Sequence, residues 1–182
     1  RIFYPRVYTP GNTTLDVKTE IKNGAFNAAI KVADENQNID LEIYSENFGL
    51  FLNNPSKTRL KYHLNGSLQN IDLAHWLGDP QLKYLVNGQL EIEGEGTDPK
   101  TANVKLEADF RDLTIHEKPV DKLQASLNLN NGNLDGKVEG EGNFGVVNIT
   151  PEIRNLQNNP AYRLEVVAQH FNVAEITGND TL

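Results

Sequence analysis

The sequence has no cysteine and no methionine, a single tryptophan, and aromatic side chains at only 8% of its 182 positions. Without thiols there are no disulfides, no thiolate metal sites and no cysteine nucleophile, although this does not fix the redox compartment. No run of about 18 apolar residues occurs, so this stretch does not cross a bilayer as a helix. Positive charge is outnumbered, with 17 Lys and Arg against 25 Asp and Glu, and the net charge of -8 is interspersed along the chain. That balance describes a solvated surface and argues against nucleic acid or an anionic membrane as partner. A chain that opens on Arg1 is expected to be a piece of a longer one, with any signal peptide or anchor outside it.

The groupings that catalysis needs are missing too. His63, His75, His116 and His170 fall in different strands or connections, with no pair at helical metal spacing. His63 and His170 read as exposed strand residues, His75 as a helix-surface residue and His116 as part of a turn before Pro119. Glu93, Glu95 and Asp98, like Glu139 and Glu141, are same-face carboxylates without the looped array that a calcium site requires. There is no nucleophile elbow and no phosphate-binding glycine loop. The expectation is a protein that is not an enzyme and uses no cofactor or metal.

What is present is alternation. From Thr58 to Gly96 two strands alternate strictly: Leu60, Tyr62, Leu64, Gly66 and Leu68 against charged and polar neighbours, then Tyr84, Val86, Gly88, Leu90, Ile92 and Gly94 against Asn87, Gln89, Glu91, Glu93 and Glu95. Between them Ile71, Leu73, Ala74 and Leu77 have helical spacing, with Asp72 placed to cap and Gly78 to stop a short helix over an end of the oily face. Similar strands surround this block. Leu15 to Ile21 and Phe26 to Val32 flank the hairpin signal Asn23-Gly24, and Ile39 to Ile43 follow. A loop at Asn53, Asn54 and Pro55 leads into the block, and beyond it come Val104 to Phe110, Leu123 to Leu129, Leu134 to Gly142, a ragged strand around Val147 and Ile149, and Tyr162 to Ala168. Nine or ten strands with short connections predict an all-β antiparallel meander.

The chain also repeats. An offset of 100 residues sets Tyr62 on Tyr162, Leu64 on Leu164, Gln69 on Gln169, Ala74 on Ala174 and Gly78 on Gly178. The expected organisation is one repetitive β segment over residues 1–182, with a unit of about 100 residues at 58–157 and its next copy starting near 158. A shorter echo sets the stretch from Asn87 against the stretch from Asn131.

So many one-faced strands with so few helices pose a problem of cover, since each large aliphatic is worth roughly 1.5 to 3 kcal/mol if buried. The sheet can close on itself as a sandwich or barrel, face lipid as an outer-membrane barrel, or curl partway and leave an apolar trough. The glycines of the oily face, Gly88, Gly94, Gly96, Gly136, Gly140 and Gly142, either leave room for a ligand or permit bulges and twist.

Asn70, Asp72, Leu73 and Ala74, followed by Val86, Gly88, Leu90, Ile92, Gly94, Gly96, Asp98 and Pro99, resemble the repeating core of the TamB and AsmA-like family over roughly residues 58–182. The resemblance implies an elongated antiparallel meander, curled into a taco-like open sheet with an apolar concave face and a short helix. It implies a periplasmic segment of a Gram-negative envelope protein, anchored to the inner membrane by an N-terminal helix outside this stretch. Its expected work is to shield phospholipid acyl chains, or client β-strands, during transport to the outer membrane, with an Omp85-type barrel as a partner met through other regions. The groove residues carried over are Leu60, Tyr62, Leu64, Leu68, Val86, Leu90, Ile92, Val104, Leu106, Phe110, Leu127, Leu129 and Val138. The alternative is a structural sandwich or rod-like spacer with a self-buried core. Unpaired edges near residues 15–21 or 162–168 predict self-association.

Overall fold

The computed structural model of the chain describes residues 13–115, 118–156, 159–170 and 172. They form ten strands and two short helices: β1 (Thr14–Lys22), β2 (Ala25–Asp34), β3 (Gln37–Ser45), α1 (Phe48–Asn53), β4 (Lys61–Asp72), α2 (Leu73–Leu77), β5 (Tyr84–Glu95), β6 (Asn103–Ile115), β7 (Lys118–Asn130), β8 (Asn133–Gly142), β9 (Gly145–Arg154) and β10 (Ala161–Gln169). All ten strands lie in one sheet in sequence order, each antiparallel to the next. The meander is open, with β1 and β10 as its two edges among the described residues. Turn chemistry sets the register. Asn23-Gly24 and Asn131-Gly132 carry positive φ at both positions, 51° and 81°, then 46° and 77°, which is the two-residue turn that suits twisted strands.

The register gathers the apolar side chains into four rows running across the sheet. One row runs Val17, Ile30, Leu41, Gly66, Leu90, Ala108, Ala125, Val138, Ile149 and Val166. The next row toward the β3–α1 end holds Ala28, Ile43, Leu64, Ile92, Leu106 and Leu127. Among the described residues no second sheet covers these rows. The buried apolar residues are only Ala28, Ile71, Ala102, Leu113 and Val120, and no large side chain among the described residues is fully buried.

Three one-residue register shifts keep the apolar residues on one side. They lie between Leu68 and Ile71 in β4, opposite Leu85–Gly88 in β6, and between Val120 and Lys122 in β7. Asn70 and Asp112 hold positive φ of 54° and 50° at the first two. An inserted residue resets the two-residue period, so Ile71 faces Val86 and Leu113 faces Val120. Pro151 is a different irregularity: the β8–β9 pairing skips Gly136 and Lys137, opposite Thr150 and Pro151, where proline offers no N–H.

Asp72 caps α2 through the Ala74 and His75 amides and Gly78 ends it with φ 68°, as its sequence spacing predicts. The helix packs at the bulged end, against β4 and β5. The other helix, α1, replaces an expected connection; it has no side-chain cap and is held by Phe48 on Phe26 at 4.8 Å and by Gly49 N–H donating to Gly24 O at 2.8 Å.

Some sequence expectations shift. Leu60 precedes β4 and is not part of it, although its carbonyl accepts from Gly96 N at 2.8 Å. The echo between Asn87 and Asn131 fails, because Asn87 lies inside β5 whereas Asn131 is a hairpin turn residue. β10 starts at Ala161, 100 residues after β4 starts at Lys61, but the counterpart of α2 at residues 173–177 lies outside the described residues, as does His116.

Candidate functional site

Of the groove residues named from the sequence, the twelve that lie in strands fall on one face. Tyr62, Gly94, Val104, Leu129, Leu134 and Ile153 make the outermost row. Leu64, Ile92, Leu106 and Leu127 make the second, Leu90 and Val138 belong to the third, and Leu68 and Phe110 stand in the fourth with Gly88 between them. Val86 lies beyond that row beside Ile71, and Leu60 beyond the first beside Gly96. All thirteen are half-buried. A single sheet layer gives that level of cover, through neighbouring side chains and with no second layer above them among the described residues. At the edges even this is lost: Leu15 and Leu164 are each 64% exposed. The same face takes in Ile30, Leu41 and Ile43 of β2 and β3, and Val147, Ile149 and Ile153 of β9. Their alternation is as plain in the sequence, but they carry no motif.

The glycines on this face do not form one continuous slot. The Tyr62 ring lies over Gly94, where a Cβ would overlap it, and partial burial pushes the Tyr62 phenol pKa above its ordinary value. Phe144 covers Gly142, at 2.8 Å from where a Cβ would stand. Only at Gly140 would a Cβ find ordinary contacts, 3.9 Å from Leu123 and Phe144.

Two depressions of similar size lie on the other, polar face. One of about 690 Å³ spans β2 to β8 between Lys31, Asp40, Glu91, Glu107, Gln124 and Glu139, and one of about 680 Å³ lies among Tyr44, Lys61, His63, Glu95, Lys105 and Asn130. Charges there are locally matched. Lys105 and the Ser126 hydroxyl hydrogen-bond Glu107 and hold its carboxyl below the ordinary range. Arg111 and Gln124 do the same for Asp109, and Lys137 for Glu139. His63 stands between two glutamates, Nε2 3.7 Å from Glu91 and Nδ1 3.5 Å from Glu93. These three are the one metal-ligand grouping among the described residues.

The segment that carries the family resemblance forms a clasp. Asn87 Oδ1 accepts from the Asn70 amide at 2.7 Å and its Nδ2 donates to Asp112 O at 3.2 Å, so one side chain ties the bulges of β4 and β6. Gln37 Oε1 accepts from the Asp72 amide at 2.8 Å and from Trp76 Nε1 at 2.9 Å. His75 is not a free helix-surface residue: its Nε2 is 2.6 Å from Asp34 Oδ2, whose side chain is only 4% exposed. Asn70 and Asp72 therefore shape the end of the sheet, with α2 pinned to the β2–β3 turn.

Comparison with protein-family models, with curated proteins and with solved structures finds no match to the chain.

Proposed function

We propose that the chain is a segment of a TamB or AsmA-like envelope protein, working in the periplasm of a Gram-negative bacterium, whose apolar sheet face shields phospholipid acyl chains or client β-strands on their way to the outer membrane. The observation that carries this reading is the uncovered apolar face, four rows deep across ten strands. With strands about 4.8 Å apart and same-face residues about 6.8 Å apart, this surface is roughly 40 Å wide and 20 Å deep. Each methylene laid on it is worth roughly 0.8 kcal/mol, and a face of open rows admits chains of any length. Neither polar-face depression offers comparable apolar area. An anchor and an Omp85-type barrel partner belong to the same proposal, through parts of the protein outside this sheet.

The test is a photocrosslinking residue at Leu90 of the full-length protein in bacterial cells, with Glu91 on the opposite face as control. Phospholipid attached at Leu90 and absent at Glu91 is the expected result. Adducts confined to the protein itself at Leu90 would mean that the face is covered by protein, and would turn the reading toward a rod-like spacer.

A further inference from the structure

The two edges of the sheet are complementary to each other. Both β1 and β10 are nine residues long and exposed throughout, and among the described residues no strand lies beyond either. In a ten-stranded meander they run in opposite directions, so β10 of one molecule can receive β1 of another as an eleventh antiparallel strand with the apolar faces on the same side. Continuing the rows of the sheet sets all nine residues of β10 against all nine of β1, from Ala161 opposite Lys22 to Gln169 opposite Thr14. Val166 then faces Val17 on the apolar side, and on the polar side Arg163 faces Glu20 and Glu165 faces Lys18. Backbone parity agrees. Counting alternate pairs outward from the two-residue turns at Asn23-Gly24 and Asn131-Gly132, the backbone groups that point away from the sheet belong to the apolar-face residues on both edges.

Two-fold pairing of like edges has no such fit. The nine-residue register of β1 against itself sets Lys18 on Lys18 and Asp16 on Glu20, and that of β10 against itself sets Glu165 on Glu165. Like charges directly opposite destabilise a pair. We infer that β10 of one copy docks on β1 of a second copy, head to tail, in the register that carries the apolar rows across the joint. Such a contact is heterologous. With a twist of roughly 20 to 25° per strand it leads to an open ribbon and not to a closed dimer, and it stands whether or not the face carries lipid.

The absence of cysteine from these 182 residues makes a clean test possible in this chain. Asp16→Cys and Val167→Cys are directly opposed in this register, at a pair without backbone hydrogen bonds, where the Cα atoms of an antiparallel ladder approach to about 4.5 Å, within disulfide reach. Mixing the two single variants under mild oxidation is expected to give the mixed disulfide in roughly tenfold excess over either homodimer. In sedimentation, Arg163→Glu should weaken association about tenfold and adding Glu20→Arg in the same chain should restore it, as opposite and like cross-strand charges demand. Predominant homodimers of either cysteine variant, indifference to Arg163→Glu, or a chain that stays monomeric at every soluble concentration would overturn the proposal.

Discussion

The same strands bury leucine at one end and leave it half open in the middle. At the bulged end of the sheet Ile71, Leu113 and Val120 are 3%, 5% and 6% exposed, where α2 packs on β4 and β5 and side-chain bonds tie the bulges of β4 and β6. Farther along the same face, Leu64, Leu90, Leu106 and Leu127 have the same chemistry but are half-buried, among the neighbours of their own rows. What differs is cover, and cover separates a residue that holds the fold from one that is free to meet a ligand. The clasped end can therefore carry the stability that the open middle forgoes.

The sharpest way to break this contrast is to truncate one leucine from each region. Leu113→Ala should cost roughly 2 to 5 kcal/mol, whereas Leu106→Ala, already partly in water, should cost less than about 2 kcal/mol; urea unfolding measures both, and equal losses would erase the distinction. Glycines on this one face offer the next comparison. Gly88 has φ 148° and a Cβ there would stand 2.7 Å from Phe110 Cα, so Gly88→Ala should destabilise by about 1 to 3 kcal/mol. Gly140→Ala, with ordinary contacts, should be neutral or stabilise by roughly 0.5 kcal/mol. Removing the tie between bulges comes third: Asn87→Ala leaves the Asn70 amide and the Asp112 carbonyl without that partner and should cost about 1 to 3 kcal/mol, with amide exchange rising first in β4 to β6 beside α2.

The smallest effect is one of pH and belongs to the middle of the sheet. Glu107, Asp109 and Glu139 are held below their ordinary values of 4.5, 3.8 and 4.5 by partners on the polar face. A depressed carboxyl pKa contributes stability that is present above the ordinary value and lost as pH falls through the lower folded one. Thermal unfolding should thus show a modest loss on acidification below about pH 4.5, screened by salt. Glu107→Gln should reduce that slope, and an unchanged slope would show that these exposed pairs contribute nothing.

The sheet was legible because parity is: Leu60 to Leu68 and Tyr84 to Ile92 could alternate only as strands, and Asn-Gly marked two of the turns. The bulges were not, since Asn70 and Asp112 look like any polar residue until their pairing is known. The visible traces are the spacings from Leu68 to Ile71, from Phe110 to Leu113 and from Val120 to Leu123, three residues each where the strand period allows two or four. The bond from His75 to Asp34 spans 41 residues and leaves no local signal, which is why His75 reads as surface. The thirteen groove positions were recoverable as a face, because register follows alternation; whether that face is covered depends on what packs above it, which no strand encodes by itself.

A meander in which each strand touches only its sequence neighbours is, energetically, a one-dimensional chain of couplings. One interrupted joint is the stretch of β8–β9 where Gly136 and Lys137, opposite Thr150 and Pro151, leave the ladder unpaired. The hairpin of β9 and β10 can then unzip as a unit while β4 to β7, stitched together at their bulged ends, stay zipped. Opening is then expected to be graded along the sheet instead of all-or-none.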